Sequence, residues 1–173
     1  DYMEGRLEGH IGEVPTMADW TDHMTTAFPE VRLKHFIEMR GADGGPWRGL
    51  CALPALWVGL LYDSTALDAA WDLCKDWTNA ERTALRDDAP RLGLKTPFRS
   101  ETIRDIALRV LEVSRAGLAN RRKLDKSGKD EAQFLNVLDD IAASGVTAAD
   151  AMLEAYHGRW NGDVDKLYGE YSY

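Results

Sequence analysis

Glu38 and Arg40 stand two residues apart in the segment 30–40, EVRLKHFIEMR. In an extended chain, residues two apart leave the same face, so a carboxylate and a guanidinium project side by side. Such a carboxylate can hold Mg²⁺, which takes oxygen ligands and often only one or two protein carboxylates. The guanidinium can grip a phosphate oxygen with two donors. Together they make half of a phosphoryl-transfer site, where a metal and an Arg neutralise charge developing at the γ-phosphate. The glycine-rich turn that follows, Gly41–Gly45, is placed to close over a ligand. It is not a phosphate-loop fingerprint, because it lacks the Lys and Ser/Thr and opens no strand–loop–helix motif. On pattern alone, alternating charges more often mark a solvated strand face.

The alternation predicts one strand over 30–40. Val31, Leu33, Ile37 and Met39 fall on one face, and Arg32, Lys34, Phe36, Glu38 and Arg40 on the other. His35 interrupts the apolar face and Phe36 the polar one. The apolar face is expected to anchor on a helical layer. A lone strand cannot satisfy its own backbone hydrogen bonds, so it is expected to join a sheet made mostly by residues outside this chain.

The rest reads as helix. Thr16, with Asp19 at N3, caps a helix that runs to about Phe28 and is stopped by Pro29. Residues 47–62 are apolar nearly all round and predict a buried helix, with Pro54 as a kink. Ser64 caps a helix to about Trp77, and Thr78-Asn-Ala-Glu81 is a capping box for a short helix ending near Asp88. Residues 89–99 read as loop. Ser100 then caps a long helix with the stripe Ile103, Ile106, Ala107, Val110, Val113, Gly117 and Leu118. Phe134, Leu135, Leu138, Ile141 and Ala142 form the next stripe, with Gly145 as a stop. Thr147 caps a last helix through about Gly158, and the tail carries Tyr168, Tyr171 and Tyr173.

Composition narrows the class. With 173 residues the chain can bury one core. A net charge of −8 argues against nucleic acid as a partner, since phosphate backbones need clustered Lys and Arg. The longest uncharged run, Gly49–Tyr62, is too short for a bilayer span of about 20 residues, which argues against a membrane partner. Cys51 and Cys74 lie inside apolar segments and form no CxxC, so both read as buried, structural thiols of a reducing cytoplasm. The histidines, His10, His23, His35 and His157, pair with no Cys or His at zinc-ligand spacing. Trp47, directly after the glycine turn, reads either as core or as a pocket wall. The chain opens without Met and in mid-pattern, and reads as a fragment.

The run FPEVRLKHFIEMRGADGGPWRGLCALPALWVGLLYD, Phe28–Asp63, resembles the C-terminal signature of glutamate–cysteine ligases of the plant and proteobacterial class. The likeness extends to GEVPTMADWTDHMTT at Gly12–Thr26, GLKTPFR at Gly93–Arg99 and EAYHGRW at Glu154–Trp160. It covers almost the whole chain from about Gly12 onward. The resemblance implies a glutamine-synthetase-like core whose antiparallel sheet forms a concave site covered by helices. It implies use of ATP and Mg²⁺ to phosphorylate the γ-carboxylate of L-glutamate, followed by attack of the amine of L-cysteine, the first step of glutathione synthesis. By position, Glu38 would be the metal ligand and Arg40 the catalytic residue facing the transferred phosphate, with Arg32 and Lys34 as further cations on the ATP phosphate side. Cys51 falls where plant members carry a cysteine able to join a redox-sensitive disulfide. A second plant-type cysteine near Gly9-His10 is absent, which argues against redox control of that kind. Dimerisation, which plant members are thought to couple to redox state, stays open as a homodimer.

The expected fold is therefore a mainly α fragment of an α+β protein: a C-terminal helical layer plus at least one strand of a glutamine-synthetase-like antiparallel sheet. Residues 1–173 are expected to be a single C-terminal region of a larger catalytic domain. Within it, 1–15 is loop or a frayed start, 16–63 holds helix, active-site strand, glycine turn and buried helix, and 64–173 is a helical subdomain. The upstream part of the same polypeptide is its expected partner, and alone the region is expected to be inactive. Two rival readings remain: a helical interaction or dimerisation module without a catalytic role, and another glutamine-synthetase-like amide ligase.

Overall fold

Local signals decide where the helices begin. The computed structural model describes residues 1–33, 35–42 and 44–172, which fall into two compact units, 1–43 and 44–173. Lys34, Asp43 and Tyr173 lie outside the described residues.

In the first unit, a 3₁₀ turn at Tyr2–Glu4 is followed by helix α1, Met17–Thr25. Thr16 caps α1 in a complete capping box: its hydroxyl accepts from the Asp19 N–H, and its own N–H donates to the Asp19 carboxylate at 2.7 Å. Strands β1, Val31–Leu33, and β2, Ile37–Met39, then pair antiparallel. The single strand expected over 30–40 is thus a hairpin, and β1 finds its first partner within the chain. The reason is visible at His35 and Phe36, where the alternation breaks and the chain bends. The register is Val31 to Met39, Arg32 to Glu38 and Leu33 to Ile37. Val31, Leu33 and Ile37 are exposed, Leu33 by 81%, so the apolar face is not the buried anchor expected of it.

The second unit is helical. Helix α2, Trp47–Leu61, contains Pro54 and buries only Ala52, Ala55, Gly59 and Leu60, so it is half-covered where full burial was expected. Helix α3, Ser64–Cys74, follows at a 94° bend, and its cap is Asp63, not Ser64. Helix α4, Asn79–Leu92, carries the Thr78–Glu81 capping box and buries no residue fully. It runs past Asp88 and includes Pro90, which has no N–H to donate to the carbonyl one turn earlier. The expected loop over 89–99 instead holds the end of α4, a 3₁₀ turn at Gly93–Lys95 and strand β3, Pro97–Phe98. Strand β3 pairs with β4, Glu101–Thr102. Helix α5, Ile103–Arg121, is capped by Thr102 with Asp105, not by Ser100, because Ser100 is spent in the β3–β4 turn. A 3₁₀ segment at Glu131–Leu135 leads into α6, Asn136–Ser144, which ends on Gly145 in the left-handed region. Helix α7, Ala148–His157, is capped by Thr147 with Asp150, and a further short helix, α8, spans Lys166–Tyr171.

The α2–α5 crossing is the closest helix approach. A Cβ on Gly117 would lie 1.9 Å from the Gly59 carbonyl oxygen, and one on Gly59 would lie 2.3 Å from that of Ser114. Only glycine lets the two backbones come this near. The buried Ser114 hydroxyl is satisfied by donating to the Leu56 carbonyl at 3.0 Å. Beside this contact, Leu118 and Leu135 are fully buried with Ala55 and Ala132, and Leu56, Val58 and Leu138 close the cluster. Each such leucine contributes about 1.5–3 kcal/mol by burial. Among the described residues, no single helix is long and apolar enough to cross a membrane. The described residues are mainly helical with two small antiparallel sheets, as expected of the helical part of an α+β protein.

Candidate functional site

Pairing in the hairpin joins residues whose numbers sum to 70, so even-numbered side chains of both strands share one face. Arg32 and Glu38 are direct partners on that face. The Arg32 Nε donates to the Glu38 carboxylate at 2.7 Å. The Arg40 N–H donates to the Glu30 carbonyl at 2.9 Å, which extends the register by one pair. Arg40 then reaches the same Glu38 oxygen at 3.7 Å, a charge contact too long for a hydrogen bond. The three side chains keep between 22% and 33% of their surface, so they are neither buried nor freely solvated.

The far side of Arg40 is also occupied. Its guanidinium carbon lies 5.2 Å from the centre of the Phe28 ring. That contact was not anticipated from sequence, although Phe28 shares the even parity and precedes Pro29, which holds it extended. The face reads, in order, as an aromatic ring, a guanidinium, a carboxylate and a second guanidinium. Of the four residues singled out from sequence, Arg32, Glu38 and Arg40 come together, and Lys34 lies outside the described residues. Glycine is not demanded by this chain at Gly44 or Gly45, where an added Cβ would meet nothing within 4 Å.

The arrangement can hold an anion and a cation at once. Two guanidiniums offer donors for phosphate oxygens. One carboxylate matches the small protein share of a Mg²⁺ shell, the remainder being water and substrate phosphates. Among the described residues, no three His, Cys, Asp or Glu side chains converge to hold a metal by themselves.

The other candidates separate from this face. Cys51 and Cys74 are free and half-buried, not fully buried. Cys51 lines a shallow groove of about 280 Å³ with Trp47, Arg48, Phe134 and Asp140, and Trp47 is 78% exposed. Trp47 is therefore a groove wall and not core. The His10 ring lies 3.0 Å from the Glu13 carboxylate, and His23 packs against Trp20.

Comparison with known proteins places the chain in a lineage. It is 51% identical to the chloroplastic glutamate–cysteine ligase of Arabidopsis thaliana over 99% of its length, and covers 32% of that protein. It is 50% identical to the chloroplastic glutamate–cysteine ligase A of Oryza sativa subsp. indica over its whole length, covering 34% of it. The chloroplastic enzyme of Solanum lycopersicum is 49% identical, again over the whole chain and 32% of the relative. The chain thus spans about a third of the length of the curated relatives it matches. Their names also correct the expectation of a cytoplasmic protein, since they point to the plastid. Unpaired thiols do not tell one reducing compartment from another, and a leader that is removed leaves no trace in mature residues. The model of glutamate–cysteine ligase family 2 matches residues 2–170, and to that family this chain belongs.

Proposed function

We propose that the chain is the C-terminal region of an ATP-dependent ligase that joins the γ-carboxylate of L-glutamate to the amine of L-cysteine. The single observation that supports this reading most is the shared face of Arg32, Glu38 and Arg40 on one hairpin. In this reading ATP phosphorylates glutamate, the cysteine amine attacks the γ-glutamyl phosphate, and ADP and phosphate leave. Arg40 is the residue that faces the transferred phosphoryl group, and Arg32 and Lys34 lie on the phosphate side. Glu38 is the residue that would hold Mg²⁺, which supplies charge neutralisation beside the phosphates when bound. The carboxylate also orients the Arg32 guanidinium through its 2.7 Å hydrogen bond, so that donor set is aligned before the phosphate arrives. The upstream polypeptide supplies the glutamate and cysteine contacts, and residues 1–173 act as one region of that larger catalytic domain.

The test uses the full-length polypeptide containing this chain, assayed for ADP release with glutamate, cysteine, ATP and Mg²⁺. Glutamate- and cysteine-dependent ADP release, abolished by Arg40→Ala, supports the reading. Full activity in both Glu38→Ala and Arg40→Ala would remove the hairpin from the reaction and leave a helical association module, which the exposed Trp47 and Trp71 would then serve.

A further inference from the structure

We propose that Phe28 is a positioning residue for Arg40, holding its guanidinium flat and aimed along the hairpin face. The inference rests on the reading of Arg40 as the phosphate-facing cation and adds a device that the reading lacks. A long, flexible Arg side chain has many rotamers, and a catalytic cation must occupy one of them. Glu38 approaches Arg40 from one side, at 3.7 Å, too far to fix the guanidinium by hydrogen bonding. Arg32 takes that same Glu38 oxygen at 2.7 Å and competes for it. Among the described residues, the Phe28 ring also meets Arg40, 5.2 Å from the guanidinium carbon and within cation–π range.

The backbone sets up this contact. Pro29 keeps Phe28 out of the helical region, and the chain bends at Glu30 before entering β1. The Arg40 N–H to Glu30 carbonyl bond fixes residue 40 opposite residue 30, which makes Phe28 its diagonal neighbour. Diagonal pairs across antiparallel strands lie within reach of aromatic and long side chains. Phe28 is 73% exposed, so its ring contributes little as core and its removal costs the fold little. A stacked guanidinium also keeps its in-plane N–H donors directed outward, where two can meet one phosphate.

The experiment is a double-mutant cycle in the full-length polypeptide, with kcat and KM for ATP measured separately. Phe28→Leu is expected to lower kcat about three- to tenfold with KM changed less than twofold, the scale of one cation–π contact. Phe28→Trp is expected to restore most of the loss, because Trp is the better cation–π partner. Phe28→Leu added to Arg40→Ala is expected to cost nothing further, since Phe28 acts only through Arg40. Thermal unfolding of each variant checks that the fold is kept. A Phe28→Leu enzyme as fast as wild type, or an additive loss in the double variant, overturns the role of Phe28 while leaving Arg40 in place. An Arg40→Ala enzyme with full activity overturns both assignments at once.

Discussion

Arg32 and Glu38 face each other across the β1–β2 hairpin, with the Arg32 Nε 2.7 Å from the carboxylate oxygen that Arg40 also approaches. One oxygen therefore serves two guanidiniums. Neither cation can move toward a phosphate without changing the balance at Glu38.

Removing either central charge is expected to disable the reaction. Glu38→Ala and Arg40→Ala in the full-length polypeptide should each lower ADP release by about 10²-fold or more, the scale of losing a transition-state charge partner. Arg32→Ala should cost less, because Arg32 acts through its hydrogen bond to Glu38. Stability should move by under about 1 kcal/mol in all three, since partly exposed ion pairs contribute little. Parallel initial-rate and thermal-unfolding measurements separate the two effects. A large loss of melting temperature in Arg40→Ala would mean that the face is structural.

The 173 residues alone are expected to release no ADP above background with glutamate, cysteine, ATP and Mg²⁺. One carboxylate and two or three cations cannot orient two substrates and a nucleotide. A coupled assay on the isolated chain decides this, and turnover at the rate of a full-length polypeptide would show that these residues suffice for the reaction.

Acid unfolding should report on Arg99. Its guanidinium donates to the Glu81 carboxylate at 2.7 Å and to Asp76, and the backbone of Arg99 sits at φ 54° in the left-handed region. These hydrogen bonds, with those from Thr78, hold Glu81 from its ordinary value of 4.5 down to about 2. A depressed carboxylate stabilises the fold fully above about 4.5 and loses that contribution as pH falls toward 2. Arg99→Gly keeps the backbone conformation but removes the clamp. Its unfolding midpoint in an acid titration should move to higher pH, and an unchanged midpoint would exclude Glu81 as a contributor.

Gly117→Ala is expected to be the most damaging single-methyl change in the second unit. Its Cβ would fall 1.9 Å from the Gly59 carbonyl and 2.9 Å from the Ala66 Cβ, and a backbone oxygen cannot swing aside. Overpacking of this kind costs about 3 kcal/mol or more. Urea denaturation of the isolated chain measures it, and a loss below about 1 kcal/mol would mean that α2 and α5 slide apart cheaply.

The sequence made most helix starts legible, because a capping box is a local chemical signal. Thr16, Thr78 and Thr147 with their acidic partners mark α1, α4 and α7 correctly. Ser100 misled because Thr102, two residues on, competes for the same role and has Asp105 at the right spacing. The hairpin was hidden because three residues separate Leu33 from Ile37. That odd spacing makes a folded-back chain show the same face parity as a straight strand, so the single-strand reading put Arg32, Glu38 and Arg40 on one face for the wrong reason. What parity cannot give is distance: the shared acceptor at Glu38 and the Phe28 stacking depend on which residues oppose, not on which face they take. The groove at Cys51 was illegible for another reason, since it joins α2 to residues more than 80 positions later.

Helix α4 buries no residue fully, and its first turn is tied down by the Thr78–Glu81 box and the Arg99 clamp. Such a helix can unwind without emptying any part of the core. In amide-exchange terms it should be the second unit's first cooperative segment to open, at a free energy well below that of global unfolding. A protease cutting within residues 79–92 would thus leave two pieces still gripped by the α2–α5 crossing.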